Sequence, residues 1–268
     1  MYAVVGHTEW VTFARVDRLP ASGEIVSASE SWVEPAGGGA VAAAQLLRLA
    51  GAASFLTSVG SDALGDTALA ALRKLGLEVH ASRWPAPHTT AFVHLEANGE
   101  RTITVMRRGP RPEGKDALPW EALAHARGVY FVKGDAQAAQ KARAAPVLVA
   151  TTRVLGVLAE AGVQVDALVY SANDAAEQPH LGVLRVPPKI VIATEGREGG
   201  TWSLATGERG RFAAVPLTGP ISDAYGAGDS FAAGLTFGLG EGLPLQDALG
   251  VAAKCGAQAL LRRGAHGG

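Results

Sequence analysis

From Val129 onwards the chain alternates short apolar segments with segments of helical length, and this pattern restricts the possible fold more than any other feature. The alternating segments are Val129–Val132, Ala136–Arg143, Val147–Ala150, Val154–Ala161, Ala167–Tyr170 and Ile190–Ala193. Short buried strands separated by helices are typical of a parallel sheet that is covered on both faces. The pattern therefore predicts an α/β protein whose ligands bind beyond the carboxyl ends of the strands.

The composition excludes several classes of protein. A formal net charge of −1 over 268 residues argues against a nucleic-acid-binding protein, and the single cysteine, Cys255, excludes an internal disulfide and a cysteine-cluster metal site. No segment approaches the roughly 20 continuous apolar residues of a membrane span, and the N-terminus lacks the pattern of a signal peptide. We therefore expect one cytoplasmic domain, residues 1–268, without a nucleic-acid or membrane partner.

Residues 222–238 read SDAYGAGDSFAAGLTFG and form the most informative stretch of the chain. Gly226, Ala227 and Gly228 leave backbone N–H groups uncovered, and Asp229-Ser230 can cap the helix that follows. A glycine turn that leads into a helix N-terminus favours anions. A carboxylate at the same place suggests a base that accepts a proton while the N–H groups hold developing negative charge. An ordinary glycine turn with an aspartate cap fits the same residues.

The string DAYGAGDSFAAG closely resembles the signature D-T-x-G-A-G-D-x-F of the ribokinase-like (PfkB-type) carbohydrate kinases, with Ala224 in place of threonine. The resemblance spans the chain. It implies a three-layer α/β/α ribokinase-like fold with a mostly parallel central sheet and a small β-lid, formed by about residues 9–34 and 90–108. It also implies roles for the signature residues: Asp229 as catalytic base, Gly226, Ala227 and Gly228 as the anion hole, and Asp223 in cofactor binding.

Two further motifs concern the nucleotide and its metal ion. Thr194, Gly196 and Gly199 match the family's T-x-G-x-x-G nucleotide loop, which implies that they bind ATP. Asn173 and Glu177 resemble the family's N-x-x-E element, which helps to place Mg²⁺, although one extra residue separates them here. A helix capped by Asn173 explains these residues equally well. The resemblance also raises a monovalent cation, K⁺, as a further cofactor.

The acceptor site is where the sequence departs from the family. Gly37, Gly38 and Gly39 match a diglycine signature at the place where the sugar meets a helix start, so these three glycines are predicted to bind substrate. Val11 stands where the family has a sugar-binding aspartate, and Val41 or Ala42 replaces an asparagine. Glu9 is the nearest acid, and it either replaces the aspartate or is a solvated surface acid. The substrate is expected to be a sugar or a sugar-like molecule of open identity.

Two motifs are expected to be coincidental. Residues 37–42 fit the dinucleotide fingerprint G-x-G-x-x-A, but Ser27–Pro35 does not read as the buried strand that must precede it. Residues 109–115, GPRPEGK, fit the P-loop spacing, but Asp116 replaces the serine or threonine that would bind Mg²⁺. Two prolines there also lack the N–H groups of a phosphate cradle. Residues 109–115 are predicted to form an exposed loop.

The remaining elements are predicted from local patterns. Residues 9–33 suggest exposed strands, and a helix is expected over Asp66–Leu75. The segments Phe92–Glu96 and Arg101–Met106 predict a hairpin with a type I′ turn at Asn98-Gly99, followed by solvated arginines at 107 and 108. A second hairpin is expected from Thr201–Leu204 and Arg211–Val215. Because free strand edges attract partners, a homodimer formed through the lid is a further expectation.

The leading hypothesis is an ATP-dependent sugar kinase that transfers the γ-phosphate to a carbohydrate hydroxyl. Phosphoryl transfer mostly requires positioning, charge neutralisation and a base near the attacking hydroxyl, and the chain offers a candidate for each. Three alternatives stay open. They are a nucleoside kinase of the same fold, a nicotinamide-dependent oxidoreductase that uses the glycine motif at 37–42, and a sugar- or nucleotide-binding protein with altered catalysis.

Overall fold

The computed structural model of the protein describes residues 1–107 and 109–267. Its strands are β1 Tyr2–Val5, β2 Glu9–Val16, β3 Glu30–Ala36, β4 Ala53–Gly60, β5 Glu78–Trp84, β6 Thr90–Glu96, β7 Arg101–Arg107, β8 Gly128–Phe131, β9 Leu148–Thr151, β10 Ala167–Ser171, β11 Ile190–Thr194, β12 Gly200–Leu204 and β13 Arg209–Phe212. Its α-helices are α1 Gly38–Ala50, α2 Ala63–Lys74, α3 Ala136–Ala142, α4 Leu155–Ala161, α5 Ala227–Gly240 and α6 Leu245–Leu260.

The central sheet has nine strands in the order β13-β12-β11-β10-β9-β8-β1-β4-β5. Every neighbouring pair from β11 to β5 is parallel, whereas β12 and β13 are antiparallel additions at one edge. The predicted α/β class and mostly parallel sheet are therefore confirmed. The second predicted hairpin exists as β12 and β13, and it belongs to this central sheet.

Alternate residues of the central strands feed two different cores. Side chains on one face pack with α1, α2, α5 and α6, and this cluster includes Tyr130 and Phe231. Side chains on the opposite face, such as Phe131, pack with α3, α4 and a 3₁₀ helix at Trp120–His125. Burial on both faces explains why these strands are continuously apolar in sequence.

A second sheet of four strands lies in the order β3-β2-β6-β7 and is built from the two segments expected to form the lid. The prediction of exposed strands over residues 9–33 is wrong for the face of β2 that carries Val11 and Phe13, since both side chains are fully buried. They pack with Val41 and Tyr225 in a separate apolar cluster. Strand β7, in contrast, is exposed along its length, and residue 108 lies outside the described residues.

The turn between β6 and β7 differs from the prediction. The two strands pair antiparallel as expected. However, no described residue other than glycine has a positive φ angle, so Asn98 cannot occupy a type I′ position. Instead, the Gly99 N–H donates to the Glu96 carbonyl, and Gly99 alone is left-handed, with a φ of 85°. A four-residue connection supplies the reversal that a two-residue turn was expected to make.

Helix α2 begins earlier than the sequence predicted. Its first residue is Ala63, and the Asp62 carboxylate caps it by accepting the Gly65 N–H at 3.0 Å. The cap lies within residues 59–65, VGSDALG, where an aspartate suits the start of a helix. Within the described part of the chain, none of the helices has the length and apolar character needed to cross a membrane.

His266 is expected to make the stability of the fold depend on pH. Its Nε2 donates to the Pro35 carbonyl at 2.6 Å, and burial lowers its pKa from 6.5 to about 4. An unfolded histidine gains its proton near pH 6.5, so the stabilisation is complete above that pH and is lost as the pH falls towards 4. Buried acids with a raised pKa change the stability in the opposite direction as the pH falls. The contribution of His266 is therefore measured as the difference between a His266 variant and the wild type.

We expect His266→Gln to destabilise the protein at pH 7.5. The difference in the free energy of unfolding between variant and wild type should shrink by about 1.4 kcal/mol per pH unit between pH 6.5 and 4.5. Urea unfolding of both proteins at four pH values measures this difference. A constant difference would show that His266 has the same pKa in the folded and unfolded states.

Candidate active site

The polar residues of the site follow the ends of parallel strands. His7 comes after β1, Lys133 after β8, Arg153 after β9 and Glu177 after β10. Because parallel strands end at the same edge of a sheet, these side chains gather at the carboxyl edge of the central sheet. Thr194, the last residue of β11, lies at the same edge. The structure therefore places the nucleotide motif and the candidate metal motif on the side where the sequence predicted ligands to bind.

Asp229 lies at the centre of this edge, but it does not cap α5 as predicted. The helix begins at Ala227 after Gly226, whose φ of 73° is left-handed, so Asp229 is the third helical residue. Its carboxylate is held in the first turn, where the N–H groups of Ala227, Gly228 and Asp229 have no partner within the helix. These N–H groups and the helix dipole favour negative charge at this point.

One hydrogen bond holds the Asp229 carboxylate, and a glycine leaves room for it. The Tyr130 hydroxyl donates to Oδ1 at 3.0 Å from the strand below. A Cβ atom at Gly38 would lie only 2.7 Å from the same Oδ1 and 3.1 Å from Oδ2. Burial raises the pKa of Asp229, and the bond from Tyr130 partly offsets that effect. A carboxyl group with a raised pKa is a stronger proton acceptor than an ordinary aspartate.

The other two glycines, Gly37 and Gly39, are required by the local backbone structure. The Gly37 N–H donates to the Tyr225 hydroxyl at 2.9 Å, and Gly37 has a φ of 87°. A Cβ atom at Gly39 would lie 2.5 Å from the His7 carbonyl oxygen, so Gly39 allows α1 to approach β1. Only Gly38 of the three is both partly exposed and beside Asp229, and it is the best placed of them to meet a substrate.

Of the two residues that stand for the family's asparagine in alternative alignments, Ala42 lies in the main core and Val41 packs near Val11. Val11 and Val41 lie in the same apolar cluster as Tyr225. Val41 also packs over Gly226, where a Cβ atom would come within 2.7 Å of Val41 Cγ1. Val11 and Val41 thus belong to one apolar cluster that packs against the turn before α5.

Glu9 belongs to the site and is not a solvated surface acid. Its side chain is only 12% exposed, and its Oε1 lies 3.7 Å from Nε2 of His7. Burial raises the pKa of Glu9, while Lys133 acts in the opposite direction and Asp229 adds to the rise. Burial and Lys133 lower the pKa of His7 to about 3, so the imidazole is neutral at pH 7. This part of the candidate site therefore combines a carboxyl group, a neutral imidazole and a cation.

One candidate metal residue, Glu177, is paired with an arginine. Arg153 contacts Glu177 Oε1 through Nε and Asp174 Oδ2 through Nη2, each at 2.7 Å. The other Glu177 oxygen accepts the Ser171 N–H at 2.8 Å. Asp174, and not Asn173, caps the short 3₁₀ helix Ala175–Glu177, so the alternative of a helix capped by Asn173 is wrong. Within residues 1–107 and 109–267, no group of three or more acidic, histidine or cysteine side chains could hold a metal ion.

The nucleotide motif forms a tight loop between β11 and β12. The Thr194 hydroxyl donates to the Tyr170 carbonyl, and the Glu195 N–H donates to the Gly199 carbonyl at 2.8 Å. Gly196 has a φ of 62°, and a Cβ atom there would lie 3.7 Å from Nδ2 of Asn173. A Cβ atom at Gly199 would come within 2.1 Å of the Phe212 carbonyl oxygen, so Gly199 is required by backbone packing. The loop thus brings the nucleotide motif next to the metal motif.

The predicted contact between Asp223 and a cofactor is not supported. Asp223 is fully buried, and its two carboxylate oxygens accept the N–H groups of Tyr225 and Gly264. Burial raises its pKa, and both hydrogen bonds counteract the rise. Asp223 therefore ties the turn before α5 to the C-terminal segment and leaves no surface for a ligand.

The two coincidental motifs have structural explanations. The strand before residues 37–42 is β3, which belongs to the small sheet and pairs antiparallel with β2, unlike the first strand of a dinucleotide-binding unit. In the GPRPEGK segment the Gly114 N–H donates to Asp135, and the Glu113 N–H donates to Asp116. The prediction of an exposed loop is wrong there for Pro110, Pro112 and Gly114, which are buried.

Three site residues escaped the sequence analysis: Tyr130, Arg153 and His7. A tyrosine inside the buried segment Val-Tyr-Phe was the available signal for Tyr130, because a buried hydroxyl needs a hydrogen-bond partner. The available signal for Arg153 and His7 was that each residue follows the end of a predicted strand.

Comparison with known proteins shows the family of the chain. Residues 1–267 match the sequence model of the pfkB family carbohydrate kinases. The chain belongs to that family. A pfkB family carbohydrate kinase is a phosphotransferase with an alcohol group as acceptor, so the predictions of the family and of the enzyme class are confirmed. Acarbose 7(IV)-phosphotransferase of Actinoplanes sp. is 42% identical over 73 residues, which cover 26% of this chain and 24% of that protein. The match spans about a quarter of the relative.

Solved structures confirm the ribokinase-like fold. The ribokinase of Thermotoga maritima has a TM-score of 0.81 and 21% identity, with 99% of this chain and 94% of that chain covered. The ribokinase of Arabidopsis thaliana, complexed with ribose and ATP, has a TM-score of 0.74 and 22% identity over 98% and 93% of the two chains. The adenosine kinase of Sinorhizobium meliloti has a TM-score of 0.76 and 18% identity over 98% and 94%. Because the sequence identities are only 18–22%, these structures establish the fold of this protein and nothing further.

Proposed function

We propose that this protein is an ATP-dependent sugar kinase that transfers the γ-phosphate of ATP to a hydroxyl group of a carbohydrate. The observation that carries the proposal is the position of Asp229. A partly exposed carboxylate lies in the first turn of α5, beside three N–H groups that have no partner in the helix. A base and an anion-binding turn at one point are the two groups that phosphoryl transfer to an alcohol requires.

Asp229 accepts the proton of the acceptor hydroxyl, and the acceptor oxygen forms a bond to the γ-phosphorus while the bond to the leaving oxygen breaks. The N–H groups of Ala227 and Gly228 hold the negative charge of the transferring group, with Gly226 providing the left-handed turn. Nothing in the described structure lies within 4 Å of the place of a Cβ atom at Gly228, so this turn is open to a ligand.

ATP with Mg²⁺ is the proposed phosphoryl donor, and Mg²⁺ would share Glu177 with Arg153, whose Nε lies 2.7 Å from Glu177 Oε1. Thr194 and Gly196 would seat the nucleotide phosphates, and Glu177 and Asn173 would hold the metal ion from the adjoining loop. Mg²⁺ commonly takes one or two protein ligands and fills its remaining positions with phosphate oxygens and water, which agrees with the small number of acids here. When bound, Mg²⁺ neutralises phosphate charge. A K⁺ requirement is a further part of the proposal, to be tested by replacing K⁺ with Na⁺ in the assay.

Glu9 and Gly38 are proposed to meet the acceptor, opposite the nucleotide loop. Glu9 offers hydrogen-bond acceptors where Val11 cannot, which supports a polyhydroxylated substrate. A homodimer through the small sheet is proposed on the exposed strand β7, whose side chains include the half-exposed Ile103, Val105 and Met106. An unpaired edge with apolar side chains favours pairing with a second copy.

The test of the function is ADP release from Mg·ATP against pentoses, hexoses, sugar phosphates, deoxy-sugar acids and nucleosides. We expect turnover with one class of carbohydrate. Turnover with nucleosides alone would replace the proposal with a nucleoside kinase. ATP binding without turnover on any acceptor would favour a binding protein with altered catalysis. Quenching of tryptophan fluorescence by NAD, without ATP turnover, would favour the oxidoreductase.

A further inference from the structure

We propose that Tyr130 is a positioning residue for the catalytic base: its hydroxyl group binds Oδ1 of Asp229 and thereby directs Oδ2 towards the acceptor hydroxyl. The inference rests on the proposed function, because it gives Asp229 the role of base. The bond that carries it is the 3.0 Å contact between the Tyr130 hydroxyl and Oδ1.

Tyr130 is held rigidly. It lies near the carboxyl end of β8, in the middle of the central sheet, where it pairs with Val4 of β1 and with Val149 of β9. Its side chain has no exposed surface and packs in the main core with Phe231 of α5. Close packing around the ring leaves the hydroxyl one position, directly below the first turn of α5.

An aspartate carboxylate needs such a partner to hold one orientation. The last torsion of an aspartate side chain is broad and nearly two-fold, so the two oxygens can exchange places at little cost. Tyr130 breaks this equivalence by donating to Oδ1, and the absence of a side chain at Gly38 leaves room for the carboxylate in that position. A fixed oxygen in reach of the acceptor saves the reorganisation that a rotating carboxylate would need in each turnover.

The same bond sets the charge state of the base. Donation from Tyr130 stabilises the carboxylate and lowers the pKa of Asp229 against the larger rise caused by burial. Other groups act on the carboxylate from the surrounding elements. They are Arg101 on β7, Arg153 after β9, Glu177 after β10, Glu9 on β2 and Tyr225 before α5. Tyr130 is the one for which a direct hydrogen bond to Asp229 is seen in the described part of the chain.

The test is Tyr130→Phe, which removes one oxygen atom and keeps the ring. We expect kcat to fall about five- to tenfold, the scale of one lost hydrogen bond, with the KM for the acceptor changed less than about twofold. Without the donor, Asp229 keeps its proton to higher pH, so the acid limb of the kcat profile should move to higher pH. A merely structural role would lower activity equally at all pH values.

Tyr2→Phe is the matched control. Tyr2 is also a buried tyrosine of the central sheet, but its hydroxyl donates to Phe237 and Glu241 at the amino end of β1. We expect this variant to lose stability and to keep the acid limb and kcat of the wild type. An unchanged acid limb in Tyr130→Phe, or an equal change in both variants, would overturn the proposal.

A second measurement does not depend on activity. The urea midpoint is compared for Tyr130→Phe, for Asp229→Ala and for the double variant. If the two side chains are bonded, removing the Tyr130 hydroxyl should shift the midpoint differently once the Asp229 carboxylate has gone. Additive shifts would overturn the bond itself. If the bond is present and the wild type phosphorylates no acceptor, the proposed function fails and the positioning role fails with it.

Discussion

Replacing Asp229 with asparagine is expected to lower kcat by at least about a hundredfold, the scale of a lost general base. The substitution keeps the size of the side chain, so it still fits against Gly38 and still accepts the Tyr130 hydroxyl. The amide cannot take a proton from the acceptor. Steady-state ADP release measures kcat, and ATP titration should show that nucleotide affinity changes by no more than a few fold.

Asp247→Asn provides the control for this experiment. Asp247 lies in the first turn of α6, as Asp229 lies in the first turn of α5, but it is exposed and distant in sequence from the motifs of the site. The same chemical change there should leave kcat at the wild-type value. Near wild-type turnover by Asp229→Asn would show that another group accepts the proton.

The sequence predicted the parts of this protein that depend on residues close together in the chain. The strand–helix alternation predicted the parallel sheet, because a buried strand and the helix after it are both local patterns. The GAGD string predicted the position of Asp229 for the same reason, since the turn and the first helical residues are contiguous. The errors in these local predictions were shifts of a few residues: α2 begins three residues earlier than predicted, and Gly226 rather than Asp229 precedes α5.

The properties that depend on distant segments were not predictable. Glu9 is 12% exposed because Gly37 and His7 pack beside it, and Asp223 is buried because the C-terminal segment supplies the Gly264 N–H. Val11 and Val41 looked like two independent losses of polar contacts, yet they form one apolar cluster with Tyr225. In each case one of the neighbours, Gly37 for Glu9, Gly264 for Asp223 and Val41 for Val11, lies more than 20 residues away in the chain, and a local pattern carries no information about it.

Gly38→Ala is expected to lower kcat by about a hundredfold, the scale of a displacement of about 1 Å in a reacting group. A methyl group at Gly38 would meet three atoms of the Asp229 carboxylate at 2.7–3.1 Å, and a carboxylate is free to rotate away. That rotation would break the bond from Tyr130 and move the base. The backbone should accept the change, because Gly38 lacks a positive φ angle and alanine favours the first turn of α1.

Gly250→Ala separates this effect from a general effect of alanine in a helix. Gly250 lies inside α6, has no positive φ angle, and has no described atom within 4 Å of its Cβ position. It should gain about 0.5–1 kcal/mol of stability with kcat unchanged. If Gly38→Ala is folded, binds ATP and keeps the kcat of the wild type, then the carboxylate can act from a displaced position. The close approach of α1 to Asp229 would then serve packing alone. A loss of kcat without a loss of stability would show that the glycine is needed because the base must stay where Tyr130 holds it.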